Sequence, residues 1–180
     1  MDKYKTVQQS QVTISELMLP SHTNFSGKIH GGYILSLLDQ IAFACASKHS
    51  GIYCVTASVD TVDFLNPIEV GELVTMKASV NYVGNTSMVV GIRVEAENIQ
   101  TGKMKHCNSS YFTMVAKNDK GQSVEVPGLI MKSENDLRRF FKSINRINHK
   151  KERKEYSSKI KYTVKELIHE LEGYKIKIDL

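Results

Sequence analysis

The sequence predicts an α+β protein in which a five-stranded antiparallel sheet wraps around one central helix, with a helical extension at the C-terminus. Three observations support this fold class. One segment of strand character precedes a long apolar helix, four more follow it with short turns between them, and only one helix occurs among the strands. The last observation disfavours a parallel βαβ arrangement. We therefore expect a core domain over residues 1–130 and a basic helical extension over residues 131–180.

The first predicted strand covers residues 6–19 and ends at Pro20. A polar loop rich in Asn, Ser and Gly follows. At residues 30–32, His-Gly-Gly, the sequence turns apolar, and a helix is predicted from there to Ser47. Because its apolar residues extend beyond one stripe, we expect this helix to be covered on most sides. The repeating apolar positions are Ile34, Leu35, Leu38, Ile41, Ala42, Cys45 and Ala46.

Four further strands are predicted after the helix, over residues 52–64, 73–83, 87–98 and 103–117. The second and third of these are joined by Gly-Asn-Thr, which favours a short antiparallel hairpin. In the third, alternation assigns one face to the core, and Arg93 points away from it. The core-facing residues are Met88, Val90, Ile92, Val94 and Ala96.

Helices are predicted in the C-terminal extension. Residues 133–148 begin with a capping box and form an amphipathic helix with a basic back. A second helix is predicted from Thr163, with Glu166 completing its cap, to Gly173. Residues 174–180 alternate weakly, like a strand. The apolar stripe of the first helix is Leu137, Phe140, Phe141, Ile144 and Ile147.

The net charge of +5 is concentrated in this extension. Residues 131–162 carry +7, whereas the remainder of the chain is slightly acidic. A charge confined to one segment argues against a general nucleic-acid-binding surface and favours a local patch or a solvated helix face.

Composition places the chain among globular proteins, with 41% hydrophobic and 24% charged residues. No apolar run approaches the ~20 residues that span a membrane, and the N-terminus lacks the apolar segment of a signal peptide, so we expect a cytoplasmic protein. The three cysteines, Cys45, Cys54 and Cys107, lie in apolar stretches without metal-ligand spacing. We expect buried thiols, no disulfide and no metal site.

The start of the long helix is a candidate oxyanion site. Gly31 and Gly32 let another molecule approach the backbone, and the first amides of a helix have no partner within it and carry partial positive charge. Asp39 interrupts the apolar run roughly 12 Å along the axis, at about 1.5 Å per residue. Asp39 therefore cannot serve its own helix start. If it is catalytic, a second, antiparallel copy of the helix must supply it, which predicts a dimer with paired sites.

Several motifs together carry a family resemblance: Asn24-x-x-Gly27, the His30-Gly31-Gly32 helix start, Asp39 in the helix, Val59-Asp60-x-x-x-Phe64-x-x-Pro67-x-x-x-Gly71, and Gly84-Asn85-Thr86-Ser87. Over residues 6–127 they resemble the hotdog-fold acyl-CoA thioesterases, specifically the cytosolic acyl-CoA hydrolase branch. The resemblance implies hydrolysis of acyl-CoA to free fatty acid and CoA, with no cofactor besides the coenzyme A of substrate and product. It also implies a homodimer as the catalytic unit, assembled further into a homohexamer.

The resemblance assigns the catalytic asparagine to Asn24 and the catalytic aspartate to Asp39, acting across the dimer interface. We expect Asp39 to activate water and the amides of Gly31 and Gly32 to hold the thioester oxygen. Without the resemblance, Asp39 would be a surface carboxylate and Asn24 the residue of an Asx-turn. The candidate substrate- or CoA-binding residues are His30, Val59, Asp60, Thr86, Ser87 and Arg93.

Three of these candidates have a second interpretation. His30 is a possible catalytic base, but we expect a positional role in which its backbone matters more than its ring. Asp60 fits a structural hydrogen bond as well as a substrate contact. Arg93 fits either a CoA phosphate or an interface between dimers.

Two other functions fit the same fold. One is a non-catalytic acyl-CoA-binding regulator, which would carry a DNA-binding module and would not need Asp39. The other is an enoyl-CoA hydratase or dehydratase, for which only His30 is near as a base. Thiol release from acyl-CoA esters, measured beside crotonyl-CoA hydration, separates these functions from a thioesterase.

Overall fold

The computed structural model describes residues 3–159 and 162–179 and confirms the predicted α+β fold. In chain order the elements are β1 (Tyr4–Thr6), α1 (Val7–Ser10), β2 (Val12–Leu17), a 3-10 turn (Pro20–His22), α2 (Gly31–Ser50), β3 (Cys54–Val59), β4 (Glu72–Val83), β5 (Ser87–Asn98), β6 (Lys103–Ala116), β7 (Gly128–Ile130), α3 (Glu134–Lys159) and α4 (Val164–Glu170).

The main sheet has five strands in the order β2-β4-β5-β6-β3, and every neighbouring pair is antiparallel. Helix α2 packs on one face of this sheet and ends at Gly51, whose φ of 76° is the left-handed conformation that glycine adopts readily. The predicted core face of β5 is confirmed, because all of its members are buried against the helix. The buried helix residues include Leu38, Ile41, Ala42, Cys45 and Ala46.

The predicted first strand is wrong in its first half. Thr6 and Gln9 form a capping box, with the Gln9 amide donating to Thr6 Oγ1 and the Thr6 amide donating to Gln9 Oε1, so residues 7–10 turn into a short helix. Strand β2 therefore begins at Val12. Strands β1 and β7 pair in parallel as a separate two-stranded sheet that was not predicted.

The strand predicted over residues 52–64 is shorter in the structure. The register between β3 and β6 shifts between Thr56 and Ser58, as at a β-bulge, and regular pairing ends at Val59. The segment beyond it still follows β6 through isolated bonds, such as the Leu65 amide donating to the Cys107 carbonyl at 2.9 Å. This irregular segment lies over the start of α2, because a Cβ at Gly31 would lie 3.4 Å from the ring of Phe64.

The C-terminal end of α2 forms hydrogen bonds with Lys5, near the start of the chain, and with Pro127, before β7. His49 is fully buried, and its Nε2 donates to the Pro127 carbonyl at 2.9 Å. Burial lowers the pKa of His49, so the ring is neutral. Lys5 Nζ donates to the His49 carbonyl at 2.7 Å, which fixes β1 against the end of the helix.

The described chain divides into two compact units, one ending at Ser143 and one beginning at Ile144. The boundary between them therefore falls within α3. The predicted domain boundary at residue 130 stays a prediction. In the first unit the predicted apolar stripe of α3 is only partly buried. Phe140 packs on Tyr82, with ring centroids 5.2 Å apart, whereas Leu137 and Phe141 are 59% and 63% exposed.

Besides the Phe140 ring contact, Arg139 Nη1 donates to Ser79 Oγ of β4 at 3.4 Å. The buried residues of α3 in this unit are polar, and they form local hydrogen bonds. Asp136 Oδ2 accepts from the Lys132 amide at 3.1 Å, and buried Ser143 donates to the Arg139 carbonyl at 2.9 Å.

In the second unit, α3 continues to Lys159, so the basic segment after residue 148 is helical. The capping box of Thr163 and Glu166 starts α4 as predicted. No strand forms in residues 174–179, and Leu180 lies outside the described residues. None of the helices in the described ranges has the length and apolar character that crossing a bilayer requires.

Candidate active site

Asn24 lies in a tight loop before α2. Its Oδ1 accepts from the Ser26 amide at 2.9 Å, the Ser26 hydroxyl at 2.7 Å and the Lys28 amide at 3.2 Å. The Asx-turn considered from the sequence is therefore present. These bonds fix the side-chain oxygen, and Nδ2 donates to no residue in the described part of the chain. The turn thus orients the Asn24 amide as a hydrogen-bond donor.

His30 caps the N-terminus of α2 with its ring. Its Nδ1 accepts from the Gly32 amide at 2.9 Å, so the imidazole is a structural acceptor and the expectation that its backbone matters more is incomplete. This bond also corrects the prediction for Gly32, whose amide is already occupied. The Gly31 amide has no acceptor among the described residues, and it is the donor that the helix start leaves free.

Asp39 is exposed on α2, two helical turns after Gly31. Its Oδ1 accepts from the Thr56 hydroxyl at 2.6 Å, and Oδ2 accepts no bond from any described residue. Thr56 was not among the predicted site residues. Its position on β3, opposite Met114 in β6, turns its side chain to the helix side of the sheet, and only the packing of α2 on β3 reveals the contact.

The predicted CoA-binding residues lie on strands β3 and β5 and next to them, with β6 between the two strands. Val59 is 44% exposed at the end of β3, and the Asp60 amide donates to the Tyr111 carbonyl at 3.0 Å. Thr86 and Ser87 lie in the β4–β5 turn and at the start of β5, where the Thr86 carbonyl accepts from the Ala116 amide of β6 at 3.1 Å. Ser87 lies opposite Val115 of β6, whereas Val59 lies opposite Phe112. One chain therefore does not bring these four residues together.

Arg93 lies on the opposite face of the sheet from α2, as its position in β5 predicts. It lines a groove of about 440 Å³ between the sheet and the first turns of α3. Lys77 Nζ lies 2.9 Å from Glu95 Oε2, and Arg93 Nε lies 2.9 Å from Glu95 Oε1. Both contacts hold the pKa of Glu95 below its usual range, and the contact with Lys77 has the larger effect. Arg93 is thus not near Asn24 or Asp39 of its own chain. The other cations of the groove are Arg138, Arg139 and Lys142.

The cysteines form no part of this site. Cys45, Cys54 and Cys107 are buried free thiols, as predicted, and burial raises the pKa of Cys45 to about 12. Across residues 3–159 and 162–179, no group of three His, Cys, Asp or Glu side chains is placed to hold a metal ion.

Comparison with known proteins places this geometry in a family. The thioesterase superfamily model matches residues 26–103. Protein VdlD of Helicobacter pylori is 43% identical over 141 residues, which cover 78% of this chain and 80% of VdlD. A solved apo-hexameric acyl-CoA thioesterase matches with a TM-score of 0.81 and 35% identity, over 83% of this chain and 96% of that protein.

The acyl-CoA hydrolase of Staphylococcus aureus, solved with butyryl coenzyme A, coenzyme A and coenzyme A disulfide, matches with a TM-score of 0.79 and 31% identity, over 86% of this chain and 94% of that protein. That hydrolase has also been solved as alanine variants of one asparagine, one aspartate and one threonine. Those positions are 15 and 17 residues apart, as Asn24, Asp39 and Thr56 are here. This chain therefore belongs to the hotdog-fold acyl-CoA thioesterases of the thioesterase superfamily.

Proposed function

We propose that this chain is an acyl-CoA thioester hydrolase, which cleaves acyl-CoA to a free fatty acid and CoA. The observation that carries the proposal is the exposed Asp39 carboxylate, which Thr56 orients by a 2.6 Å hydrogen bond. The family assignment, and the matching spacing of the residues replaced in the Staphylococcus aureus hydrolase, support it.

In the proposed reaction Asp39 removes a proton from a water molecule, and the water oxygen bonds to the thioester carbon. The Gly31 amide donates to the carbonyl oxygen as negative charge develops there, and the Asn24 amide holds this oxygen or the water. The C–S bond then breaks, and the CoA thiolate recovers the proton from Asp39. One donor to the oxyanion contributes about 10²- to 10³-fold in rate. The Gly32 amide can donate to the same oxygen only if its hydrogen bond to His30 Nδ1 is broken.

A dimer is proposed as the catalytic unit, because α2 exposes a stripe that a monomer has no reason to expose. Leu35, Asp39 and Phe43 are spaced by four and share one side of the helix. The two apolar members are 38% and 39% exposed, and Phe43 packs on Tyr53, which is itself 62% exposed beside the edge strand β3. A second, antiparallel copy across this edge buries the stripe and brings Asp39 to the partner's helix start.

The same arrangement accounts for the separation of the predicted CoA-binding residues. In the proposed dimer, one pantetheine chain contacts Thr86 and Ser87 of one protomer and the Val59-Asp60 segment of its partner. A homohexamer, as in the hexameric relative, is the proposed final assembly, and there Arg93 either meets a CoA phosphate bound to a neighbouring protomer or packs between dimers. A cytoplasmic location and the absence of a cofactor are part of the same proposal.

The proposal is tested with purified protein by thiol release from acetyl- to palmitoyl-CoA, measured beside crotonyl-CoA hydration. We expect thiol release without hydration, and a fall of about 10²-fold or more in Asp39→Asn and in Asn24→Ala, with no effect of the matched change Asp119→Asn in a distant turn. Full turnover in Asp39→Asn would overturn the role of Asp39, and hydration without thiol release would overturn the hydrolase function.

A further inference from the structure

Strand β2 carries an acidic residue where its alternation calls for an apolar one. Val12 and Ile14 are half-buried and pack against the core, whereas Thr13 and Ser15 are exposed. By this alternation the side chain of Glu16 lies on the inner side of the strand. A carboxylate in this position needs a hydrogen-bond partner. It has one in Tyr33, in the first turn of α2, whose hydroxyl donates to Glu16 Oε1.

The ring of Tyr33 makes a second contact. It stacks on His22 with ring centroids 4.0 Å apart and an interplanar angle of 22°. The hydrogen bond to Glu16 raises the pKa of Tyr33, so the hydroxyl stays protonated and keeps its donor role. Tyr33 therefore connects the sheet, the helix and the loop before the helix.

His22 stands at the base of a small hairpin that carries Asn24. The His22 carbonyl accepts from the His30 backbone amide at 2.8 Å, Thr23 and Ile29 form an antiparallel bridge, and the backbone amide of Asn24 donates to the Lys28 carbonyl at 2.7 Å. We call residues 22–30 the Asn24 hairpin.

The Asn24 hairpin has few other attachments. No side chain between Thr23 and Lys28 is buried, and Phe25 is fully exposed. Ile29 is buried, and its amide donates to the Ile68 carbonyl at 3.0 Å. The other attachments are local hydrogen bonds of His22 and Thr23 to residues 19 and 20, and an exposed ion pair of Lys28 with Glu69, a kind of contact that contributes about 0–1 kcal/mol.

We propose that Tyr33 is a positioning residue for Asn24: through Glu16 and His22 it sets where the Asn24 amide lies relative to the Gly31 amide. The inference rests on the hydrolase function proposed above. Catalytic groups tolerate little displacement, since a shift of about 1 Å can cost about 10²-fold in rate. A tyrosine that only stabilised the fold would leave the turnover of correctly folded protein unchanged.

The test compares the steady-state kinetics of three variants. Tyr33→Leu removes both contacts of the tyrosine. Tyr33→Phe keeps the ring that stacks on His22, and Glu16→Gln keeps an oxygen that accepts from the Tyr33 hydroxyl. We expect kcat to fall about 10- to 100-fold in Tyr33→Leu with KM within about two-fold, and less than about five-fold in the two conservative variants. Tyr82→Leu is the matched control, because it removes a similar ring contact, with Phe140, on the other face of the sheet.

A double-mutant cycle shows whether Tyr33 acts through Asn24. In the Asn24→Ala background we expect Tyr33→Leu to lower kcat by less than about three-fold. Where that background is too slow to measure, hydrogen exchange of the Asn24 hairpin replaces it, and we expect faster exchange in Tyr33→Leu but not in Tyr82→Leu. His22→Ala serves if Tyr33→Leu does not fold.

Equal losses in both backgrounds, equal losses in the Tyr82 control, or unchanged exchange in the hairpin would each overturn the inference. The two proposals fail separately. If the wild type releases no thiol from acyl-CoA, the hydrolase function is wrong, and if Asn24→Ala and Asp39→Asn keep full turnover, the roles proposed for these two residues are wrong. If both abolish turnover while Tyr33→Leu does not change it, only the role of Tyr33 is wrong.

Discussion

The hydroxyl of Thr56 donates a 2.6 Å hydrogen bond to Oδ1 of Asp39, which joins the edge strand β3 to the central helix at a carboxylate. The bond leaves Oδ2 of Asp39 as the oxygen that can take a proton from water. It also fixes the carboxylate rotamer, which an exposed aspartate otherwise changes freely.

Thr56→Val keeps the branched shape of the side chain and removes this hydrogen bond. We expect kcat to fall about 10- to 100-fold, since a hydrogen bond to a charged group contributes roughly 1.5–3 kcal/mol, and we expect Thr56→Ser to retain most activity. Thr75→Val, which removes a hydroxyl bonded to Ser15 on the outer face, is the control. Wild-type kcat in Thr56→Val would show that Asp39 needs no orientation.

Co-expression of Asn24→Ala and Asp39→Asn chains tests whether one site draws on two protomers. Each chain is expected to be inactive alone. A mixed dimer has one site with both native residues and one with neither, so random pairing restores roughly a quarter of wild-type activity. Thiol release by the unfractionated mixture measures it, and mixed dimers isolated through two different tags should retain about half of wild-type activity. No restoration would place both residues of a site in one chain.

Two substitutions of His30 distinguish a capping role from a catalytic one. We expect His30→Ala to lower the free energy of unfolding by about 1 kcal/mol, because it removes the cap on the Gly32 amide, and His30→Asn to restore it. Denaturant unfolding measures the loss, and thiol release measures activity. If His30 were the general base, Asn would restore stability without activity, which is the result that contradicts our assignment.

Acid is expected to destabilise the core through His49. Its pKa in the folded state lies below the ordinary value of 6.5, so the folded chain binds fewer protons than the unfolded chain. The stability it contributes is full above pH 6.5 and is lost as the pH falls through the folded pKa. Melting temperatures between pH 7.5 and 5 should fall more steeply in the wild type than in His49→Gln.

His149→Gln is the control for this measurement, because His149 is 80% exposed on α3. An identical pH dependence in the wild type and in His49→Gln would exclude His49 as its source.

Patterns with a strong local cause were predictable from the sequence. The start of α2 at the double glycine, the core face of β5 and the β4–β5 turn follow from periodicity and turn chemistry, and the structure confirms them. The distance between Asp39 and the start of its own helix followed from the rise per residue alone. The roles of Asn24 and Asp39 required the family resemblance, because one polar residue in a loop or on a helix has no unique meaning.

What the sequence did not predict depends on contacts distant along the chain. Thr56 meets Asp39 only because α2 packs on β3, and a bulge at residues 56–58 ends the alternation that the sequence displays. Leu137 and Phe141 are exposed although they lie in the predicted apolar stripe, because a hydrophobic pattern does not indicate which of its members pack on the sheet. The Thr6–Gln9 capping box was the one available signal that was missed.

In the proposed dimer, the stripe of Leu35, Asp39 and Phe43 makes hydrolysis depend on the concentration of the protein. In that dimer each chain contributes half of each of two catalytic centres, so a single chain has no complete centre. Dilution should therefore switch hydrolysis off reversibly, and recovery on concentrating the protein should follow second-order kinetics.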